Sequence, residues 1–387
     1  MTTGERYLVL GLRLGRHVDG LVDAYFGPGE LAEQVAAEEL TPATELAEEA
    51  DALLGDVSDG WLADQLRGIR TYAGVLAGEE ISYADEVERC YGVRPVRTDV
   101  ARYEEVHARL DELLPGGGTL TERREAWRAA NRVETQRLVP AVRAVLDDLR
   151  ERTRELFGLP DGEDIRLEPV HDEPWWAFNY YQGGLVSRVV VNVDLPTTVA
   201  DAVHLAAHEG YPGHHTEHAW KERLLVQEGG RLEESILLVP TPQSIVSEGI
   251  AEVGPEILLD DDALAQLQRL LAEHGIDYDA QRARAIDEAL EPLRTVSVDA
   301  ALLIHEEGRS TDEAQAYIQR WSLVDAERAA HGVAFVTDPT WRAYTINYSA
   351  GRDVCRAWVG GDPVRFRRLL TEQIRVSELV AALSSPS

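Results

Sequence analysis

The chain of 387 residues has 69 acidic and 38 basic side chains, a formal net charge of −31, with 44% apolar and 28% charged residues. These values suit a globular protein with a substantial core. The negative field repels phosphate backbones and anionic lipid surfaces, so neither a nucleic-acid nor a membrane partner is expected.

The first predicted element is an amphipathic helix over 4–25, with Leu8, Leu12, Val18, Leu21 and Val22 mostly on one face, stopped by Phe26-Gly27-Pro28-Gly29. Helices are expected at 29–39, 42–55, 58–78, 82–91 and 101–113. After Pro115-Gly116-Gly117-Gly118 a long helix is expected over 119–158, kinked or divided at Pro140. The pattern changes near residue 159. Residues 165–171 alternate apolar and polar, and 185–195 are rich in β-branched side chains, so both read as strands, with Gly183-Gly184 as the turn before the second. Helix then dominates, over 197–228, 243–256, 261–273, 277–307, 311–328, 339–358 and 362–383. The predicted fold class is mainly α with a small β-sheet (α+β), organised as an N-terminal helical region (1–158) and a catalytic region (159–387) packed as one unit. Two isolated cysteines, Cys90 and Cys355, make no disulfide framework. The N-terminal stretch lacks the h-region of a signal peptide, and no run of about 18 apolar residues is present. A cytoplasmic protein is expected.

Five of the eleven histidines lie between residues 204 and 218, in His-Leu-Ala-Ala-His-Glu-Gly-Tyr-Pro-Gly-His-His-Thr-Glu-His. Histidine is the commonest zinc ligand, and a neighbouring Glu is the usual base for zinc-bound water. The familiar His-Glu-x-x-His spacing is absent, because the fourth residue after His208 is Pro212. On an intact helix the six-residue step to His214 turns the side chain about 120° away, and the seven-residue step to His215 moves it about 10 Å along the axis. Pro212-Gly213 breaks that geometry, and a local bulge there would bring His214 onto the face of His208. The expected pair is His208 and His214, with Glu209 as general base. The pairs His204/His208 and His214/His218, and His215, remain alternatives.

His-Glu-Gly-Tyr-Pro-Gly-His-His resembles the signature of domain-of-unknown-function family 885, whose members carry His-Glu-Ala-Tyr-Pro-Gly-His-His or close variants. That family is similar to zincin-type metallopeptidases of the gluzincin group, including Taq-type carboxypeptidases, with the Pro-Gly step as an insertion in the usual motif. The resemblance covers roughly residues 160–360. It implies a zincin-like architecture and a third ligand from Ser247-Glu248-Gly249-Ile250-Ala251-Glu252, similar to the family's Glu-Gly-Trp-Ala with Ile250 in place of Trp. Glu248 carries over as ligand. Glu252 lies one turn further along the same face, placed to accept a hydrogen bond from a ligand histidine. Two His and one Glu leave an open position on one Zn²⁺ ion, a catalytic arrangement.

The resemblance also implies roles elsewhere. Tyr348 and Arg352 match a Tyr-x-x-Gly-Lys segment, with Arg for Lys: Tyr348 as oxyanion donor, Arg352 as a binder of a substrate carboxylate. His305 resembles a family histidine that serves as an additional transition-state donor. Residues 179–194 resemble the stretch whose strand edge pairs with extended substrate, placing Arg188 and Asn192 along the cleft, with Trp175 and Trp176 as a wall. The expected function is a zinc-dependent peptidase of carboxypeptidase or dipeptidase type, acting on a peptide or a small amide. A zinc hydrolase of a non-peptide amide and a non-heme iron enzyme on the same two-His, one-carboxylate set are the alternatives.

Overall fold

A computed structural model describes residues 1–173 and 175–383. The first helix, Thr3–Gly15, is opened by a capping box in which Thr2 and Glu5 satisfy each other's backbone N–H. It stops ten residues earlier than its periodicity predicts. At Gly15 the chain folds back so closely that a Cβ there would lie 2.6 Å from Val22 Cγ2, and Val22–Tyr25 forms a strand, β1. Helices follow at Gly29–Ala37, Ala43–Asp56, Trp61–Leu76, Tyr83–Tyr91 and Val100–Leu113. The expected helix over 119–158 is two helices, Leu120–Ala130 and Thr135–Leu156. The division falls before Pro140, at residues 131–134, because the backbone there pairs with another segment: Val133 N–H donates to Thr197 O and Val199 N–H to Asn131 O, both at 2.9 Å. Pro140 sits near the start of the second helix.

Strands β2 (Asp164–Val170), β3 (Ala177–Tyr181) and β4 (Val186–Asn192) make a three-stranded sheet with β4 in the centre, parallel to β2 and antiparallel to β3. A fifth strand, β5 (Ile236–Leu238), pairs antiparallel with β1, Val22 opposite Leu238 and Tyr25 opposite Ile236. The short strands β1, β3 and β5 escape a periodicity reading because three to five residues cannot establish an alternation. Helices Pro242–Leu258, Asp261–Glu273, Ala280–Leu290, Val296–His305, Thr311–Trp321, Ala326–Thr337, Arg352–Val359, Pro363–Thr371 and Val376–Leu383 complete the chain. The fold is an α-rich α+β fold with two small sheets. Among the described residues no helix is long and apolar enough to cross a membrane.

The largest apolar core joins Val142, Val145 and Leu149 of helix Thr135–Leu156 to Val189 and Val191 of β4, and to Ile245 and Ile250 of helix Pro242–Leu258. A second core packs Leu8, Leu46 and Leu66 of the first helices against Ile236 and Leu238 of β5. Both cores draw side chains from either side of residue 158.

Candidate metal centre

Thr198 and Asp201 form a capping box that starts helix Val199–Leu205. The expected unbroken helix over 197–228 does not persist. Residues Ala206–Gly210 widen into a π turn, Tyr211–Gly213 leave helical geometry, and a new helix runs His214–Lys221. Gly213 makes this compact. Its N–H donates to Ala207 O at 3.0 Å, and a Cβ on it would collide with the His208 carbonyl and lie 2.6 Å from that of Ala207. The result is that two imidazoles six residues apart face one another, Nε2 of His208 and Nε2 of His214 separated by 3.2 Å with the rings at 87°.

Helix Pro242–Leu258 supplies the third group. Glu248 Oε2 lies 3.5 Å from His208 Nε2, and Oε1 lies 3.8 Å from His214 Nε2. The segment at Gly351–Cys355 packs closely on this helix at Gly249, where an added Cβ would collide with Cys355 Sγ and the Gly351 carbonyl. Tyr344 donates its hydroxyl to Glu248 Oε1 at 2.6 Å, while Oε2 and His208 Nδ1 have no hydrogen-bond partner. A buried carboxylate oxygen without a donor is costly. Two imidazole nitrogens and a carboxylate that converge within 4.8 Å of one another are an arrangement that a cation satisfies.

The surrounding groups fix which nitrogen atoms carry lone pairs. Ser247 donates its hydroxyl to Glu217, so its oxygen is free to accept from His214 Nδ1–H at 3.0 Å, which leaves His214 Nε2 unprotonated toward the centre. Glu217 is fully buried and held by Lys221 Nζ at 2.7 Å. Burial raises the Glu217 carboxyl, but Lys221 and His218 outweigh it and hold it below the usual carboxylate range. His208 Nδ1 faces Glu252 Oε1 at 3.5 Å. Burial disfavours charge on His208, yet Glu248 and Glu252 draw its pKa well above the ordinary value. The electrostatics of this centre therefore favour an added positive charge.

His208, His214 and Glu248 all line a cavity of about 390 Å³, together with Glu209 and Tyr348. Glu209 is anchored through its backbone carbonyl, which accepts from Asn179 Nδ2 of β3 at 2.8 Å. Tyr348 stands beside Tyr344 with ring centres 5.6 Å apart. Removal from bulk water, then the charges of Glu248 and Glu209, raise the Tyr348 hydroxyl well above its ordinary pKa, so it stays protonated. Two other triads have metal-like spacing, His204/His208/Glu252 and His214/Glu217/His218. In each the carboxylate is already paired with a cation, Glu252 with Arg294 and Glu217 with Lys221, and neither carboxylate lines the cavity.

Several expected site residues lie elsewhere. His215 is fully buried between Ser187 Oγ (2.9 Å) and Glu163 Oε2 (3.0 Å), a structural histidine. His305 bonds the Val336 carbonyl at 2.8 Å and stacks on Tyr83, outside the cavity lining. Arg352 is not free for a substrate carboxylate: it is buried against Glu256 at 2.7 Å, with Glu291 at 3.6 Å. Arg188 pairs with Glu168 at 2.7 Å, and Asn192 is buried, bonding the carbonyls of Glu173 and Trp175. β4, on which both sit, is flanked by strands on both sides, and the edge strand that reaches the cavity is β3. Trp175 lines the cavity, whereas Trp176 bonds Thr197.

The sequence reading missed Tyr344, whose four-residue spacing from Tyr348 was the available signal. Nor does the sequence single out Ser247, which adjoins Glu248, or Asp23, which the periodicity puts at the end of the first helix.

Solved structures of similar fold include the following two. One is a Colwellia psychrerythraea protein described as a "putative lipoprotein", with TM-score 0.53 and 14% identity over 92% of this chain; the chain spans 58% of that protein's length. The other is a Shewanella oneidensis "putative lipoprotein of unknown function", with TM-score 0.50 and 13% identity over 99% of this chain and 73% of that one. At these identities the likeness concerns the fold alone. No family model matches the chain, and no curated protein does.

Proposed function

We propose that this protein is a metal-dependent hydrolase of short peptides or small amides, with His208, His214 and Glu248 holding one zinc ion. The observation that carries the reading is the meeting of two imidazole Nε2 atoms and a donorless carboxylate oxygen beside Glu209, at the wall of a cavity. A zinc ion bound there supplies an acidified water and an electrophile for a carbonyl. Glu209 takes the proton from the attacking water and returns it to the leaving nitrogen. Tyr348, protonated and facing the cavity, donates to the oxygen on which charge develops. Tyr344 orients Glu248. The likeness of His-Glu-Gly-Tyr-Pro-Gly-His-His to family 885 supports the same reading. A cytoplasmic location is consistent with Cys90 and Cys355, both buried and unpaired.

The test is Glu209→Gln, assayed against a library of short peptides and aryl amides with metal content measured in parallel. Hydrolysis should fall at least about a hundredfold while one zinc per chain is retained. Turnover unchanged in the variant overturns the role of Glu209. Iron in place of zinc in protein purified without added metal would favour oxygen chemistry on the same three ligands.

A further inference from the structure

The cavity's own chemistry narrows the substrate. Its lining carries three carboxylates: Glu248 and Glu209, already given roles, and Asp23 on β1. The Asp23 side chain is exposed to the cavity and makes no hydrogen bond or ion pair with any described residue. Loss of bulk water, opposed by the pull of His214 and reinforced by repulsion from Glu248 and Glu209, pushes its pKa up to about 6. It is an unmatched negative group facing two more of the same sign.

Much of the rest of the lining is aromatic. Phe335, Trp341, Tyr344 and Tyr348 form a continuous series of ring contacts, with centres 6.3, 5.5 and 5.6 Å apart in turn. Ring faces attract cations and enclose apolar groups. Among the described residues no Lys or Arg lines the cavity. The two arginines that sequence reasoning placed there are engaged elsewhere, Arg352 with Glu256 and Arg188 with Glu168. A substrate recognised through a terminal carboxylate would meet only like charge beyond the metal ligands.

We propose that the cavity takes a substrate bearing a protonated amine next to an aromatic or bulky apolar group, and that Asp23 anchors the amine. The fitting class is an amino-acid amide or short peptide with a free N-terminus, not a peptide held by its C-terminus. The assignment of hydrolysis at this cavity rests on the reading above; the amine preference is tested without it.

The probes are 2-phenylethylamine, 2-phenylethanol and 3-phenylpropanoate, none of which has a hydrolysable bond. Binding is measured at pH 7.5 by calorimetry, on protein as purified and again after dialysis against a chelator. The amine should bind about tenfold or more tighter than the alcohol, the increment of one desolvated charge contact. Asp23→Asn should abolish that preference with an unchanged melting temperature. Glu30→Gln, which removes the same charge from an exposed position, should keep it. Equal binding of amine and alcohol by the unaltered protein overturns the proposal, as does a preference that survives Asp23→Asn, or tighter binding of the carboxylate in both preparations. Absence of hydrolysis in the unaltered protein, or absence of zinc, would sink the hydrolase reading and leave these three comparisons intact.

Discussion

Replacing Gly213 with alanine probes the feature that brings the two imidazoles together. A Cβ at this position would be 2.6 Å from the Ala207 carbonyl oxygen, against 3.4 Å or more in ordinary contact, and closer still to that of His208. Relief requires a backbone displacement on the order of 1 Å, since both obstructing atoms belong to the main chain. His208 is one of the obstructing residues and His214 is the next residue along, so the displacement falls on the Nε2–Nε2 separation itself. Metal–ligand distances tolerate only about 0.2 Å. Gly213→Ala should therefore weaken zinc binding by at least about a hundredfold and destabilise the fold by about 2–4 kcal/mol. Competition with a chromophoric chelator gives the first quantity and urea denaturation the second. Gly55→Ala, where an added Cβ meets nothing within 4 Å, is the control. If Gly213→Ala bound zinc as the parent does, with the same unfolding midpoint, the close turn would not be what positions His214.

Ser247→Ala removes the acceptor for His214 Nδ1–H and should reduce zinc affinity about 10- to 100-fold, read by the same chelator competition; an unchanged affinity would dismiss the Glu217–Ser247–His214 relay. Lys221→Met strands the buried Glu217 charge and should cost about 3–5 kcal/mol in urea unfolding, largely recovered in the double variant with Glu217→Gln. His218 is buried, and desolvation lowers its pKa to about 3, so the unfolded chain takes up a proton that the folded one refuses. Stability from this group is complete above about pH 6.5 and declines as pH falls toward 3, a loss of about 3 kcal/mol by pH 4 that His218→Gln should diminish. Identical pH slopes in urea unfolding for parent and variant would refute it.

The centre was legible because its signals are local. The octapeptide from His208 to His215 announces a metal-ligand cluster, and Pro212-Gly213 announces the break in the helix. Glu248 required the resemblance, since forty residues separate it from His208 and no periodicity links them. What failed was everything decided by packing at a distance. Arg352 and Arg188 sit where sequence logic places cleft residues, but a guanidinium goes to the nearest carboxylate, and Glu256 and Glu168 are invisible as partners until the helices and strands pack. His305 followed the same course, settling against a backbone carbonyl that lies thirty-one residues on. Asp23 was lost through a wrong period: Val18, Leu21 and Val22 continue a helical stripe by coincidence, while Gly15 and Gly20 mark the point at which the chain turns back.

The pairing of β1 with β5 has a consequence for any shortened form of this protein. Removing the first twenty-five residues would uncover the backbone edge of Ile236–Leu238 and the apolar side chains packed on it, four residues ahead of the helix that carries Glu248. An exposed apolar edge invites pairing with another chain. A truncated protein would therefore tend to self-associate through the strand next to the candidate metal centre, and a failure to bind metal would report lost solubility as much as lost ligands.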